Sequence, residues 1–361
     1  LLATPPRKPL LCNIVKPLLI FSFLKFQRSD YPRLMIKLGY QIPLFTYPNG
    51  TPETLFESVA AQALAAEAHG FDTVMVMDHL YQLPGLGDPE DYMMECYTLL
   101  GALAARTSTI KLGSLVTGNT YRNPALLAKI ITTLDVVSQG RAILGIGAGW
   151  FELEHDSLGF TFNTFTERFE KLEEALQIIP PMLAGQRPTF SGQHYSVTDA
   201  INQPPPIGKI PLMIGGGGEK KTLRMVAQYA DASNLICNPD EISRKLDVLD
   251  QHCQQLGRAR SEISVSWQST VIIAPTLAEA EAERTALLAR RGFDWDSLDE
   301  GFQNKLMQRI IMGGPDEVRQ QVQEVLALGI DGLTLNMPAN GHHPEIVALA
   351  GQTLAPLFSS D

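Results

Sequence analysis

The residues able to do chemistry are few, and they stand at the ends of apolar runs. In GFDTVMVMDHLYQLP, from Gly70 to Pro84, an almost wholly apolar run from Thr73 to Met77 leads straight into Asp78 and His79. A run of this length after a glycine and before a proline reads as a strand buried on both faces, as in parallel sheets. The carboxyl end of such a strand, where this acid and imidazole stand, is where chemistry is expected. The same two residues also read as a turn cap beside a half-buried packing group.

A second candidate is LMIGGGGEKKTLRMVAQYADASNL, in which a buried strand ends in Gly215, Gly216, Gly217 and Gly218 and a helix starts at about Lys220. Glycines let backbone approach an anion, which the unpaired N–H groups and the positive end of the helix dipole then hold. A simple connection needing positive φ is the other reading, but four consecutive glycines exceed what one turn requires. The stretch is not GxxxxGK[ST], so a nucleoside triphosphate is not indicated.

RAILGIGAGW sets Gly145, Gly147 and Gly149 at the end of another apolar run. The spacing lacks a full GxGxxG and no acidic residue ends the next strand, which excludes a Rossmann site. Small residues here admit either a flat ring or a neighbouring strand, and the residues alone do not choose. His342 and His343 are adjacent but lack a completing ligand set, and no G-x-S-x-G elbow exists. His69, His155, His194 and His252 have no special spacing and read as surface or packing residues.

The elements that must position these groups alternate regularly. From Met35 onward about eight strand-like runs exchange with amphipathic segments, which predicts a (β/α)8 TIM barrel with insertions at the C-terminal face rather than a doubly wound sheet. Thr51-Pro52 and Thr164 before Glu167 resemble helix N-caps, and Gly70, Gly140 and Gly257 stop helices. Two stretches break the repeat and are expected to cover the barrel mouth. One is a hairpin with a proline-rich turn between Arg187 and Lys209. The other is helical material in ARRGFDWDSLDEGFQNKLMQRIIMGG.

A formal net charge of -10 argues against a nucleic-acid or anionic-membrane surface. Cys12, Cys96, Cys237 and Cys253 are far apart and read as reduced thiols of a cytoplasmic protein. The first 34 residues are basic, and their one apolar run is too short to span a bilayer. They are expected to be an extension outside the fold, with residues 35–361 forming one barrel domain.

Taken together, FDTVMVMDHLYQLP, IKLGSLVTGNTYRNPALLAKIITTLDVVSQGRAILGIGAGW and MIGGGGEKKTLRMVAQYADASN resemble the luciferase-like monooxygenase superfamily, and within it the F420-dependent oxidoreductases. The resemblance runs in order from Met35 to about Leu357. It implies a TIM barrel that binds coenzyme F420, or alternatively FMN, at the carboxyl ends of the strands. The cofactor phosphate would rest on Gly215, Gly216, Gly217 and Gly218. A non-prolyl cis peptide expected at Ser114–Leu115 would support the ring, beside Gly147, Ala148, Gly149 and Trp150.

The same resemblance makes His79 the proton acceptor near the reactive carbon, with Asp78 orienting the imidazole or stabilising its charged form. Sugar-phosphate dehydrogenases of the family carry a glutamate where this chain has Trp150, which argues for an apolar or conjugated substrate over glucose 6-phosphate. The function so implied is hydride transfer between F420 and an organic substrate. The alternatives are an FMN-dependent monooxygenase and a barrel that holds the cofactor without turnover. Family members are often dimers, which adds the expectation of a homodimer.

Overall fold

The computed structural model describes residues 36–358. The expectation about residues 1–34 lies outside the described residues. The strands are β1 (Leu38–Ile42), β2 (Thr73–Val76), β3 (Lys111–Ser114), β4 (Thr117–Gly118), β5 (Ala142–Gly147), β6 (Phe190–Ser191), β7 (Ser196–Val197), β8 (Leu212–Gly215), β9 (Ala232–Leu235), β10 (Ser264–Ile273), β11 (Ile310–Gly313) and β12 (Gly332–Asn336). Eight of them pair in parallel in the order β1-β2-β3-β5-β8-β9-β10-β12, and β12 returns to β1 with Leu38 opposite Leu333. The sheet is therefore a closed (β/α)8 barrel, and its eight staves are the eight runs expected from the sequence.

The helices are α1 (Pro52–Ala68), α2 (Cys96–Arg106), α3 (Pro124–Val137), α4 (Glu152–Leu158), α5 (Phe165–Leu183), α6 (Thr222–Tyr229), α7 (Ile242–Gln255), α8 (Leu277–Ala289), α9 (Glu300–Met307), α10 (Pro315–Leu326) and α11 (Pro344–Leu354). Their starts and stops follow local chemistry. At α5, Glu167 N–H donates to Thr164 Oγ1 at 3.3 Å and Thr164 N–H donates to the Glu167 carboxylate at 2.9 Å, a reciprocal cap. Gly70, Gly140 and Gly257 all have positive φ just past helix ends, where a side chain is disfavoured. Among the described residues no helix is long and apolar enough to cross a membrane.

Alternate strand residues point to the two sides of the barrel wall. Leu112, Leu144, Ile146, Leu212, Leu333 and Leu335 belong to the outer core against the helices. Burying each such side chain stabilises the fold by about 1.5–3 kcal/mol. The interior is divided. Met75, Leu115, Ile143, Met213 and Ala232 fill the side made by β2, β3, β5, β8 and β9. On the other side Asn234 Nδ2 donates to Ser266 Oγ at 2.9 Å and to Thr334 Oγ1 at 3.3 Å.

The insertions are partly as expected. β6 and β7 form an antiparallel hairpin, with Phe190 opposite Val197. Glu174 on α5 anchors it by accepting from the N–H groups of His194 at 2.9 Å and Tyr195 at 2.8 Å, and the Tyr195 hydroxyl reaches Asn119 O beyond β4 at 3.4 Å. The late insertion holds α9, but its last apolar residues form β11, which pairs with the far end of β10 at Thr270 opposite Ile310. A four-residue apolar run beside a helix carries no period of its own, so only the ten-residue length of β10 reveals its partner.

Candidate active site

Every segment singled out by its residue types lies at one end of the barrel. Residues 78–81 follow β2, the 115–116 bulge follows β3, 148–150 follow β5 and 216–218 follow β8. Parallel strands make that end their shared carboxyl face, where barrel chemistry is built.

The carboxylate on the His79 ring is Glu154, not Asp78. His79 Nδ1 lies 3.0 Å from Glu154 Oε2. Glu154, fully buried on α4, also accepts from Tyr81 N–H at 2.9 Å, from Leu80 N–H and from the Tyr121 hydroxyl. Burial works to raise the Glu154 carboxyl, but hydrogen bonds from His79 and Tyr121, the charge of His79 and the Tyr81 N–H outweigh it and hold it below its ordinary value. Burial and the bond to Glu154 push the Tyr121 phenol up. Trp150 and Phe151 close the His79 corner with ring centroids 5.7 and 5.8 Å from the imidazole.

Asp78 is engaged elsewhere, which corrects its expected role beside His79. It is 2% exposed, and its Oδ2 accepts from Arg122 at 2.7 Å and Gly118 N–H at 3.1 Å. Arg122 also reaches Glu95 at 2.7 Å and lies 4.8 Å over the Tyr97 ring. Burial pushes the Asp78 carboxyl up, while Arg122 and Gly118 oppose the rise. Asp78 thus ties β2 to the segment after β4, and the following residue inherits a fixed position.

The non-prolyl cis peptide joins Leu115 to Val116, one residue beyond the expected Ser114–Leu115 bond. Leu115 N–H still pairs with Val76 O at 2.9 Å, so the ladder runs one residue further before the chain departs. Gln41 Nε2 donates to Leu115 O at 2.9 Å, and Asn336 Nδ2 donates to Gln41 Oε1 at 2.9 Å. The strand-end glycines pack against this bulge. A Cβ on Gly145 would fall 1.9 Å from Ser114 O, one on Gly147 3.0 Å from Val116, and one on Gly215 2.8 Å from Val116. Gly149 has φ +78° and abuts Thr120. Close packing of neighbours therefore accounts for these glycines, while half-buried Val116 and Ala148 and exposed Trp150 remain surface at the mouth.

The glycine loop is held from behind. Gly216 has φ +106°, open to glycine and strained for other residues. Lys245 Nζ donates to Gly217 O at 2.9 Å, and His252 Nε2 lies 2.8 Å from Glu219 O, both from α7. In a trans peptide the following N–H points opposite to the carbonyl. The N–H groups of Gly218 and Lys220 are thereby turned away from α7.

Sequence reasoning gave no role to Glu154, Tyr121, Arg122 or Lys245, and it read His155 and His252 as surface or packing residues; His155 is a fully buried packing group, and His252 supports the glycine loop. His155 Nε2 lies 2.7 Å from Thr120 Oγ1, and its ring stacks on Tyr121 with centroids 4.9 Å apart. The only local signal was an acid beside a histidine in ELEH, just after the glycines. The histidine pair proved to be a packing feature. His342 stacks on Tyr47 at 5.4 Å, and burial with the neighbouring His343 holds its imidazole down to about 4. Among the described residues no His, Cys, Asp and Glu group could hold a metal ion.

Comparison with known proteins identifies the fold and the family. The chain is 29% identical over 310 residues to the F420-dependent glucose-6-phosphate dehydrogenase of Microbacterium testaceum, covering 81% of this chain and 90% of that protein. Its fold matches the F420-dependent tetrahydromethanopterin reductase of Methanopyrus kandleri at a TM-score of 0.71 and 21% identity, over 90% of this chain and all of the other. The oxygenating component of 3,6-diketocamphane monooxygenase from Pseudomonas putida, in complex with FMN, matches at 0.69 and 18% identity, over 91% of this chain and all of the other. The model of the luciferase-like monooxygenase family matches residues 36–332, nearly the whole barrel. With the closed parallel barrel and the bulge after its third stave, that match places the chain in the luciferase-like monooxygenase family.

Proposed function

We propose that the protein is an F420-dependent oxidoreductase that moves hydride between the deazaflavin and an organic substrate. The observation that carries this reading is the division of the mouth into a bare-backbone cradle and a half-buried imidazole on a buried carboxylate. The residues fit the cofactor. Gly216, Gly217 and Gly218 present main chain without side chains ahead of α6, suited to a phosphate. Val116 offers an apolar seat for a flat ring between Gly147 and Gly215. The deazaflavin, when bound, supplies the carbon that accepts or gives hydride.

The chain's own residues do the rest. The glycine loop binds the anion, the bulge and Trp150 position the ring and substrate, and His79 stands where a substrate proton is taken or returned. Relatives named as F420-dependent at 26–29% identity over most of the chain support F420 over FMN. Those relatives are named for glucose 6-phosphate. The exposed Trp150, stacked 5.2 Å from Phe151, gives this mouth an apolar wall that favours an apolar or conjugated substrate instead.

Titration of the purified apoprotein with F420 and with FMN, followed by fluorescence, tests the reading. Saturable F420 binding at least tenfold tighter than FMN is expected. FMN binding without F420 binding would make the protein a flavin enzyme and remove the proposal.

A further inference from the structure

His79 is held at one ring nitrogen. Nδ1 meets Glu154 Oε2 at 3.0 Å, whereas Nε2 has no hydrogen-bond partner among the described residues. The groups facing the imidazole come from three places. Glu154 is on α4, Tyr121 reaches the same carboxylate from beyond β4, and Asp78 precedes His79 but is paired with Arg122 at 2.7 Å. The remaining neighbours, Trp150 and Phe151, present rings.

Glu154 is surrounded by donors. Two backbone N–H groups point at Oε1, and a phenol and an imidazole nitrogen point at Oε2. A carboxylate has about four acceptor positions, so this set uses them fully and leaves no reason for the group to hold a proton of its own. An ionised acceptor at Nδ1 fixes the neutral imidazole with its hydrogen on Nδ1 and its lone pair on Nε2. Asp78 makes no hydrogen bond to the ring: its Oδ2 accepts from Gly118 and Arg122 instead.

We infer that Glu154 is the positioning residue of the site: it locks His79 as the Nδ1–H tautomer and so makes Nε2 the atom that takes the substrate proton. This rests on the F420-dependent reading for its chemistry. As hydride leaves the substrate for the cofactor, the bond from the substrate heteroatom to its hydrogen breaks and that proton forms a bond with Nε2. The resulting imidazolium stays paired with the Glu154 carboxylate. In the reverse direction Nε2 returns the proton as hydride arrives. Tyr121 and the N–H groups of Leu80 and Tyr81 keep Glu154 from taking the proton off Nδ1.

The test has two arms. In apoprotein labelled with 15N-histidine, at a pH above the ordinary imidazole range, two-bond 1H–15N spectra report the tautomer of each ring, and His79→Ala identifies the His79 signals. Wild-type His79 is expected as Nδ1–H. In Glu154→Gln the carbonyl can still serve Leu80 and Tyr81, so the amide NH2 faces Nδ1 and the ring is expected to invert to Nε2–H. Tyr121→Phe, which retains the carboxylate, is expected to keep Nδ1–H.

In the second arm, Glu154→Gln should slow single-turnover hydride transfer with bound F420 by roughly 10²-fold while the F420 Kd changes less than threefold. An Nε2–H tautomer in the wild type overturns the inference, even if Glu154→Gln fails to fold. So does an unchanged tautomer in a folded Glu154→Gln, or an inverted tautomer with an unchanged rate. Because the first arm uses no cofactor, failure of the wild-type protein to bind F420 would count against the proposed function and remain distinct from the tautomer result.

Discussion

The two sides of the barrel mouth are built in opposite ways. On one side the glycine loop after β8 is contiguous main chain, shaped by a positive φ at Gly216 and by carbonyls tied back to α7. On the other, the His79 corner is made of side chains from residues 79, 121 and 154, three distant segments that meet around one buried carboxylate. Main chain binds a ligand by what it leaves uncovered. Buried side-chain charges act only when every partner is present, so the corner is expected to be costly to disturb and the loop tolerant in stability but sensitive in binding.

Removing the cation under the corner should have the largest effect. Arg122→Met leaves Asp78 buried without its 2.7 Å partner, and a loss of about 3–5 kcal/mol in urea unfolding is expected. A loss below 1 kcal/mol would mean that the corner is not held by its buried charges.

Glu154→Gln should cost less, about 1–3 kcal/mol at pH 7, because donors remain satisfied in part. Its pH dependence carries a sign. The Glu154 carboxyl is held below its ordinary value in the folded state, so its contribution is fully present above the unfolded value and is lost as pH falls through the folded one. The stability gap between wild type and Glu154→Gln is therefore expected to narrow on acidification, read from denaturation curves at neutral pH and below the carboxylate range. A gap that widens toward acid would reverse the assigned shift.

The smallest effect on stability should come from the loop. A Cβ on Gly217 meets only the flexible end of Lys245, at 3.2 Å. Gly217→Val is expected to unfold within about 0.5 kcal/mol of wild type, the range of surface substitutions. It should nevertheless weaken F420 by at least tenfold, about 1.4 kcal/mol, by blocking close approach to the main chain. Equal affinity in the folded variant would move the anion elsewhere.

The same contrast explains what the sequence made legible. All eight barrel staves announce themselves as strand-like runs alternating with amphipathic segments, and the glycine loop is visible because its four members are neighbours in the chain. His79 was visible as a polar residue ending a buried strand. Its partner was not, since the one local mark of Glu154, the histidine beside it, does not say which distant residue it meets, and only the fold brings it to residue 79. Adjacency was misleading for Asp78, which turns to Arg122 instead. The bulge was anticipated one peptide too early, because the ladder from Leu115 to Val76 depends on a neighbouring strand.

The separation of binding from proton transfer is tested most directly by His79→Ala, with F420 affinity and single-turnover hydride transfer measured on the same preparation. The expected result is a Kd within a few fold of wild type and a rate lowered by roughly 10²-fold or more. An unaltered rate, or a loss of F420 binding with normal turnover at saturation, would contradict it and return His79 to a packing or ring-contact role.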